Sequence, residues 1–193
     1  VGVQIRLDHP YDGRKYIWLS SVNFHMGASS GSPVHLAGEA GAKILFVTEG
    51  PLKGDVAYFL SGRTFACVPG VNQHANLPLF LEEMKAQGTE FVYEAYDMDK
   101  LLKPVCSGDY NEKCRYCEHY KKDWQHSIIL CEKKQLKRKN IQRGCAKLAG
   151  ICRTLKLQGK TLTWDMDEDG DWAEHVKGVD DYLLSLENGV ENY

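Results

Sequence analysis

The chain has 193 residues, of which 43% are hydrophobic and 26% charged, and its formal net charge is −2. That composition suits a globular chain long enough to bury a core, and it excludes a disordered or fibrous polypeptide. No apolar run approaches the roughly 18 residues a spanning helix needs, so no membrane partner is expected. The opening residues, VGVQIRLDHP, carry no apolar signal core, and a start at Val1 rather than Met is expected of a piece of a longer protein. Seven irregularly spaced cysteines then suggest a reducing cytoplasmic setting, with free thiols or metal ligands.

The small net charge hides an asymmetry. Residues 103–160 hold 15 Lys and Arg against 5 Asp and Glu, leaving 9 basic and 21 acidic residues elsewhere. A basic segment of this kind can follow a phosphate backbone, although a charge run is more often a solvated helix face.

In chain order, residues 1–41 form a Gly-, Ser- and aromatic-rich lead-in, packed on or preceding the core. Within it KYIWLSS (15–21) alternates as a strand does, and HMGASSGSPVHL (25–36) has the chemistry of a loop. AKILFVTEG (42–50) is a short β-branched run, suited to a strand buried on both faces of a parallel sheet. PLKGDVAYFLSG (51–62) predicts a helix with Pro in its first turn, apolar Val56, Phe59 and Leu60 at helical spacing, and Gly62 as its stop. TFACVPGV (64–71) predicts a second strand. NLPLFLEEMKAQG (76–88) predicts a second helix, with Leu77, Phe80, Leu81 and Met84 on one face.

EFVYEAYDMD (90–99) predicts a third strand. Residues 103–135 then fit neither period and are set apart as a Cys-rich insertion. From Leu136 a helix resumes, with Ile141, Cys145, Leu148, Cys152 and Leu155 on an apolar stripe and Gly159 as its end. KTLTWD (160–165) predicts a fourth strand, and VDDYLLSLENG (179–189) a closing helix. Repeated strand–helix units imply an α/β fold around a parallel four-stranded sheet flanked by helices.

Sites in open parallel sheets form at the carboxyl ends of strands. Glu49 ends the first core strand; Asp97 and Asp99 end the third. Alternation puts residues i and i+2 on one side, so an Asp-x-Asp offers two carboxylates to one cation. Magnesium prefers oxygen ligands and usually takes one or two carboxylates, with phosphate and water completing the shell. Three solvated acids would be the plainer reading of these residues.

FVTEGPLKGDVAYFL (46–60) resembles the first motif of Toprim domains, a hydrophobic strand ending in Glu-Gly before a helix. EAYDMDK (94–100) resembles their Asp-x-Asp motif, and the element order is similar to theirs. In closer detail, TEGPLKGD (48–55), VPGV (68–71), DMDK (97–100) and KGVDDYLL (177–184) resemble a Toprim-like domain of unknown function. That domain occurs in phage, plasmid and mobile-element replication proteins, often ahead of a helicase. The resemblance covers roughly residues 15–186 apart from the insertion.

It implies a Toprim-like (Rossmann-like) fold over 42–189. Glu49 would do acid/base work, and Glu49, Asp97 and Asp99 would hold magnesium or manganese. Lys53 and Lys177 match lysines of the closer family and would contact phosphate. Asp180 and Asp181 would cap the last helix or stand behind the metal ligands.

Cys67, Cys145 and Cys152 fall on apolar strand or helix positions, as core residues do. Cys106, Cys114, Cys117 and Cys131 lie in the insertion, where Cys-x-x-Cys at 114–117 is half of a zinc knuckle. Cys106 and Cys131 would complete it, or His119 or His126 would replace either; a mobile loop with reduced thiols is the alternative. DMDEDGD (165–171) imitates an EF-hand loop but has Val176 where a bidentate Glu is required.

The leading expectation is a magnesium-dependent phosphodiester or nucleotidyl-transfer domain, primase-like, serving replication of a mobile element. Single-stranded DNA or RNA and nucleotides would be its partners, with a helicase domain in the longer protein. A Toprim nuclease and a non-catalytic nucleic-acid-binding module are the alternatives. A topoisomerase is not expected, because no tyrosine-bearing cleavage domain fits in the chain.

Overall fold

A computed structural model describes residues 3–12, 14–19, 27, 31–106, 114, 117, 130–168, 171, 172 and 174–190. Strands β1 (Val3–Tyr11) and β2 (Arg14–Leu19) form a two-stranded antiparallel sheet of their own. Five short strands make the main sheet: β3 (His35–Ala37), β4 (Ile44–Glu49), β5 (Phe65–Val68), β6 (Phe91–Glu94) and β7 (Gln158–Thr161). They lie in the order β3-β5-β4-β6-β7.

The four strands from β4 onward are mutually parallel, and β3 pairs antiparallel with β5. The sheet is therefore mixed and five-stranded, where the sequence predicts four parallel strands. The added strand comes from the Gly/Ser-rich lead-in. At three residues it is too short to show a period, yet its pairing covers the open edge of β5.

Four helices cover the sheet: α1 (Pro51–Ser61), α2 (Leu77–Ala86), α3 (Glu132–Leu155) and α4 (Val179–Val190). Alternation along β4 supplies both faces. Leu45 and Val47 join Leu81, Met84, Ile141 and Leu148 in one core beneath α2 and α3. Phe46 joins Phe65, Ala57, Trp164 and Val179 in the other, beneath α1 and α4. The result is an α/β sandwich of three layers.

Local details depart from the expected pattern where packing decides. In α1 the buried positions are Gly54 and Ala57, and Phe59 is 86% exposed. A Cβ at Gly54 would overlap Cys67 Sγ, so the helix lies too close to β5 for a large apolar side chain there. Helix α3 begins at Glu132, four residues earlier than expected, inside the stretch set apart as the insertion. It ends on Lys156, a left-handed C-cap with φ 55°, and Gly159 belongs to β7. Ile141, Leu148 and Cys152 of its apolar stripe are buried as expected; Cys145 and Leu155 are partly buried against the same core. Strand β6 stops at Glu94, so Asp97 and Asp99 lie beyond the strand, before and within a 3-10 turn at Met98–Leu101.

The topology opens a crevice. From β4 the chain crosses through α1 to β5 on one side, whereas from the adjacent β6 it crosses through α3 to β7 on the other. Where connections leave neighbouring parallel strands in opposite directions, a ligand-sized gap opens at their carboxyl ends.

Candidate functional site

Glu49 and the Asp97–Asp99 segment stand on the two sides of that gap. Glu49 is the last residue of β4, and Gly50, at φ 83°, turns the chain into α1. The Glu49 carboxylate accepts a hydrogen bond at Oε2 from the Val71 N–H, 3.2 Å away in the loop after β5. Across the gap Ala95 N donates to Val47 O at 2.8 Å, so the β4–β6 pairing runs one residue past β6. The chain then lifts off the sheet, and Met98 N donates to Lys177 O at 3.0 Å.

Three lysines from three parts of the chain converge on these acids. Lys53, one helical turn after Glu49, hydrogen-bonds Asp97 Oδ1 and lies 3.8 Å from Glu49 Oε1. Lys177 Nζ lies 2.7 Å from Asp97 Oδ2 and 3.0 Å from Asp99 Oδ2. Lys137, on α3, lies 2.8 Å from Asp99 Oδ2. The Asp97 and Asp99 side chains are 2% and 3% exposed, so these charges meet with little water between them.

The electrostatics divide the acids. Burial raises the Glu49 pKa, and the neighbouring Asp97 charge adds to it, against the pull of Lys53 and Lys177. Burial also works against the Asp97 carboxylate, but Lys53 and Lys177 outweigh it and hold the pKa below the ordinary value. The same pairing raises the pKa of Lys53 and, more strongly, of Lys177, despite burial. Burial thus disposes Glu49 towards holding a proton, whereas the lysines hold Asp97 as an anion.

The donor atoms decide whether a hard divalent cation fits here. Asp97 Oδ2 and Asp99 Oδ2 are buried, and their neighbours are ammonium groups, Lys177 beside both and Lys137 beside Asp99. One ammonium touches both oxygens, so a single cationic position is within reach of the two carboxylates. An all-oxygen donor set of this kind fits magnesium or manganese. Among the described residues no three His, Cys, Asp or Glu side chains are gathered into a metal-holding group, and lysines fill the ground between these acids.

Asp181 and Asp180 divide in role. Asp181 Oδ2 accepts from the Gly178 N–H at 2.9 Å, the return half of a capping box at the start of α4. Asp180 Oδ1 is buried and accepts no hydrogen bond among the described residues. Burial raises the Asp180 pKa, partly offset by Lys53.

The insertion cysteines are arranged differently. Val105 and Leu130 form an antiparallel bridge and Cys131 N donates to Pro104 O at 2.8 Å, so Cys106 and Cys131 flank a closed neck. Cys117 N donates to Cys114 O at 2.8 Å, a tight turn. His119 and His126 lie outside the described residues. The DMDEDGD stretch closes on itself through a Met166–Trp172 bridge and a hydrogen bond from Asp171 N to Asp167 Oδ1.

Sequence reasoning passed over Glu94, Lys100 and Val71, and it did not connect Lys137 with Asp99. Only the fold brings a helix 38 positions away onto an Asp-x-Asp carboxylate. A signal for Lys100 was present, since it directly follows the Asp-x-Asp, although its ammonium turns beneath the segment to Glu94. Comparison with family models, with curated proteins and with solved structures returns no match.

Proposed function

We propose that this chain supplies a divalent-metal centre of the Toprim type for phosphodiester or nucleotidyl-transfer chemistry on nucleic acid, primase-like and serving replication of a mobile element. The observation that carries the reading is the pair of buried oxygens, Asp97 Oδ2 and Asp99 Oδ2, which one ammonium group touches at once beside Glu49. Asp97 and Asp99 would hold magnesium or manganese, with Glu49 at the edge of its shell. Magnesium, when bound, would offset phosphate charge and align the reacting oxygens.

The chain's own groups do the rest. Glu49, with its raised pKa, takes or gives a proton at the attacking or leaving hydroxyl. Lys53 and Lys177 leave their carboxylate partners for phosphate oxygens, and single-stranded DNA or RNA is their source. Zinc on Cys106, Cys114, Cys117 and Cys131 would order the insertion, and metal analysis of protein expressed with zinc tests that separately. No helix among the described residues is long and apolar enough to cross a membrane. All seven cysteines are free thiols, which suits the cytoplasm.

Calorimetric titration of manganese into wild type and into the Asp97→Asn/Asp99→Asn variant tests the centre. Wild type binds and the variant does not; equal binding by both overturns the reading. Product analysis on a single-stranded template then separates primer synthesis from cleavage by a nuclease. A second reading, a non-catalytic nucleic-acid-binding module, is favoured by the three ammonium groups that already neutralise these acids. It predicts strand binding with no metal requirement.

A further inference from the structure

The segment carrying Asp97 and Asp99 is not held by the sheet ladder, because β6 ends at Glu94. It is held from beneath. Glu94 Oε1 accepts a hydrogen bond from Tyr96 N at 2.7 Å, at the near end of the segment. Lys100 Nζ, at the far end, donates to Glu94 Oε1 at 3.0 Å and to Oε2 at 3.2 Å. One carboxylate thus ties down both flanks of the Asp-x-Asp. Glu94 and Lys100 are 4% and 3% exposed, and the ammonium lies 5.4 Å from the centre of the Trp164 ring. The Lys100 carbonyl in turn accepts from Gln142 Nε2 of α3 at 3.0 Å.

A buried ion pair is a poor device for stability alone, since apolar residues of similar volume usually serve as well. It does fix geometry, because its hydrogen bonds are directional and its partners cannot be exchanged with solvent. We propose that the Glu94–Lys100 pair is a positioning brace that sets the spacing of Asp97 and Asp99 for a divalent cation. The proposal rests on the reading of those two aspartates as the cation's ligands. Glu94 and Lys100 touch no reacting atom; both oxygens of Glu94 are engaged by the segment itself. Groups that orient ligands in this way commonly matter to affinity nearly as much as the ligands.

The test is manganese affinity, with thermal unfolding measured in parallel, on the full chain and five variants. Glu94→Gln and Lys100→Met each leave the partner charge buried and unpaired, so both lower the unfolding midpoint. The double variant Glu94→Gln/Lys100→Met removes both charges. It regains most of the midpoint, but its manganese affinity stays roughly 10- to 100-fold weaker than wild type. Glu94→Asp keeps the charge but is one methylene too short to reach both flanks, and it weakens manganese binding while staying folded. Wild-type affinity in either the double variant or Glu94→Asp overturns the brace and leaves the metal centre standing. Manganese binding that survives Asp97→Asn/Asp99→Asn overturns the metal centre, and the brace with it.

Discussion

The ammonium of Lys137, in the second turn of α3, lies 2.8 Å from Oδ2 of Asp99. That ion pair fixes which end of the sheet the basic helix serves. Its N-terminal part borders the carboxylate crevice, and Lys133, Lys137 and Lys139 along it are exposed. Nucleic acid following this surface would be led to Glu49. Reversing Lys137, Arg138 and Lys139 to Glu should weaken single-strand binding regardless of sequence and flatten its salt dependence. The slope of log affinity against log salt should fall by about 0.7 for each phosphate that is no longer neutralised. Fluorescence anisotropy at several salt concentrations measures it, and an unchanged slope would leave the basic run as a solvated face.

Helix α1 depends on the absence of a side chain at Gly54. A Cβ there would overlap Cys67 Sγ, and Cys67 is buried in β5. Gly54→Ala should therefore destabilise the fold by about 1–3 kcal/mol, the usual cost of overpacking, despite the better helix propensity of alanine. Cys67→Ala removes the atom in the way. The double variant should recover part of the loss, a coupling that chemical denaturation of all four proteins would expose.

The contrast between these two cases shows what was legible. Core positions of α2 and α3 followed the helical period, so Leu77, Leu81, Ile141 and Leu148 were readable, as were the strands with continuous apolar runs. The inward face of α1 was not, because close approach to β5 selects glycine and alanine, which carry no hydrophobic signal. Strand β3 was hidden by its length; β7 was read as a strand over 160–165 but spans Gln158–Thr161, because an exposed polar edge strand carries no apolar signal for its bounds. Glu49, Asp97, Lys53 and Lys177 could be named from local motifs. The ties that hold them, Val71 N to Glu49 and Lys137 to Asp99, join residues 22 and 38 positions apart and have no local signature.

His74 supplies a pH test. Its Nε2 lies 2.7 Å from the buried Tyr96 hydroxyl, and its Nδ1 has no hydrogen-bond partner among the described residues. Burial lowers its pKa below the ordinary value of 6.5, with Lys147 adding to the effect. The unfolded chain thus takes up the proton at a higher pH than the folded one. This contribution to stability is complete above the unfolded value and is lost as pH falls from there towards the lowered folded pKa. His74→Gln keeps a polar partner for Tyr96 and removes the titration. Urea unfolding at about pH 7.5 and about pH 5.5, on either side of the ordinary histidine value, should show a smaller acid-side loss in the variant than in wild type. Equal losses would mean that His74 is protonated without penalty.

Gly144 links the packing of α3 to the carboxylate of Glu49. A Cβ at this position would overlap the backbone oxygen and Cγ2 of Val71, the residue whose N–H holds Glu49 Oε2 at 3.2 Å. The same loop is tied to α3 again through Asn72 Nδ2, which donates to Asn140 O at 3.1 Å. A backbone atom cannot rotate aside as a side chain would, so Gly144→Ala must either lift the helix or shift the loop. Overpacking of this kind costs about 1–3 kcal/mol. Gly150, on the same helix, has nothing within 4 Å of its Cβ position, so Gly150→Ala is the matched control. It should gain about 0.5–1 kcal/mol, the ordinary return for replacing a helical glycine. If the Val71 hydrogen bond orients Glu49, Gly144→Ala should also weaken manganese binding, and Gly150→Ala should leave it unchanged. A Gly144→Ala protein with wild-type stability would show that the helix and loop part freely, and the proposed link from Gly144 to Glu49 would fall with it.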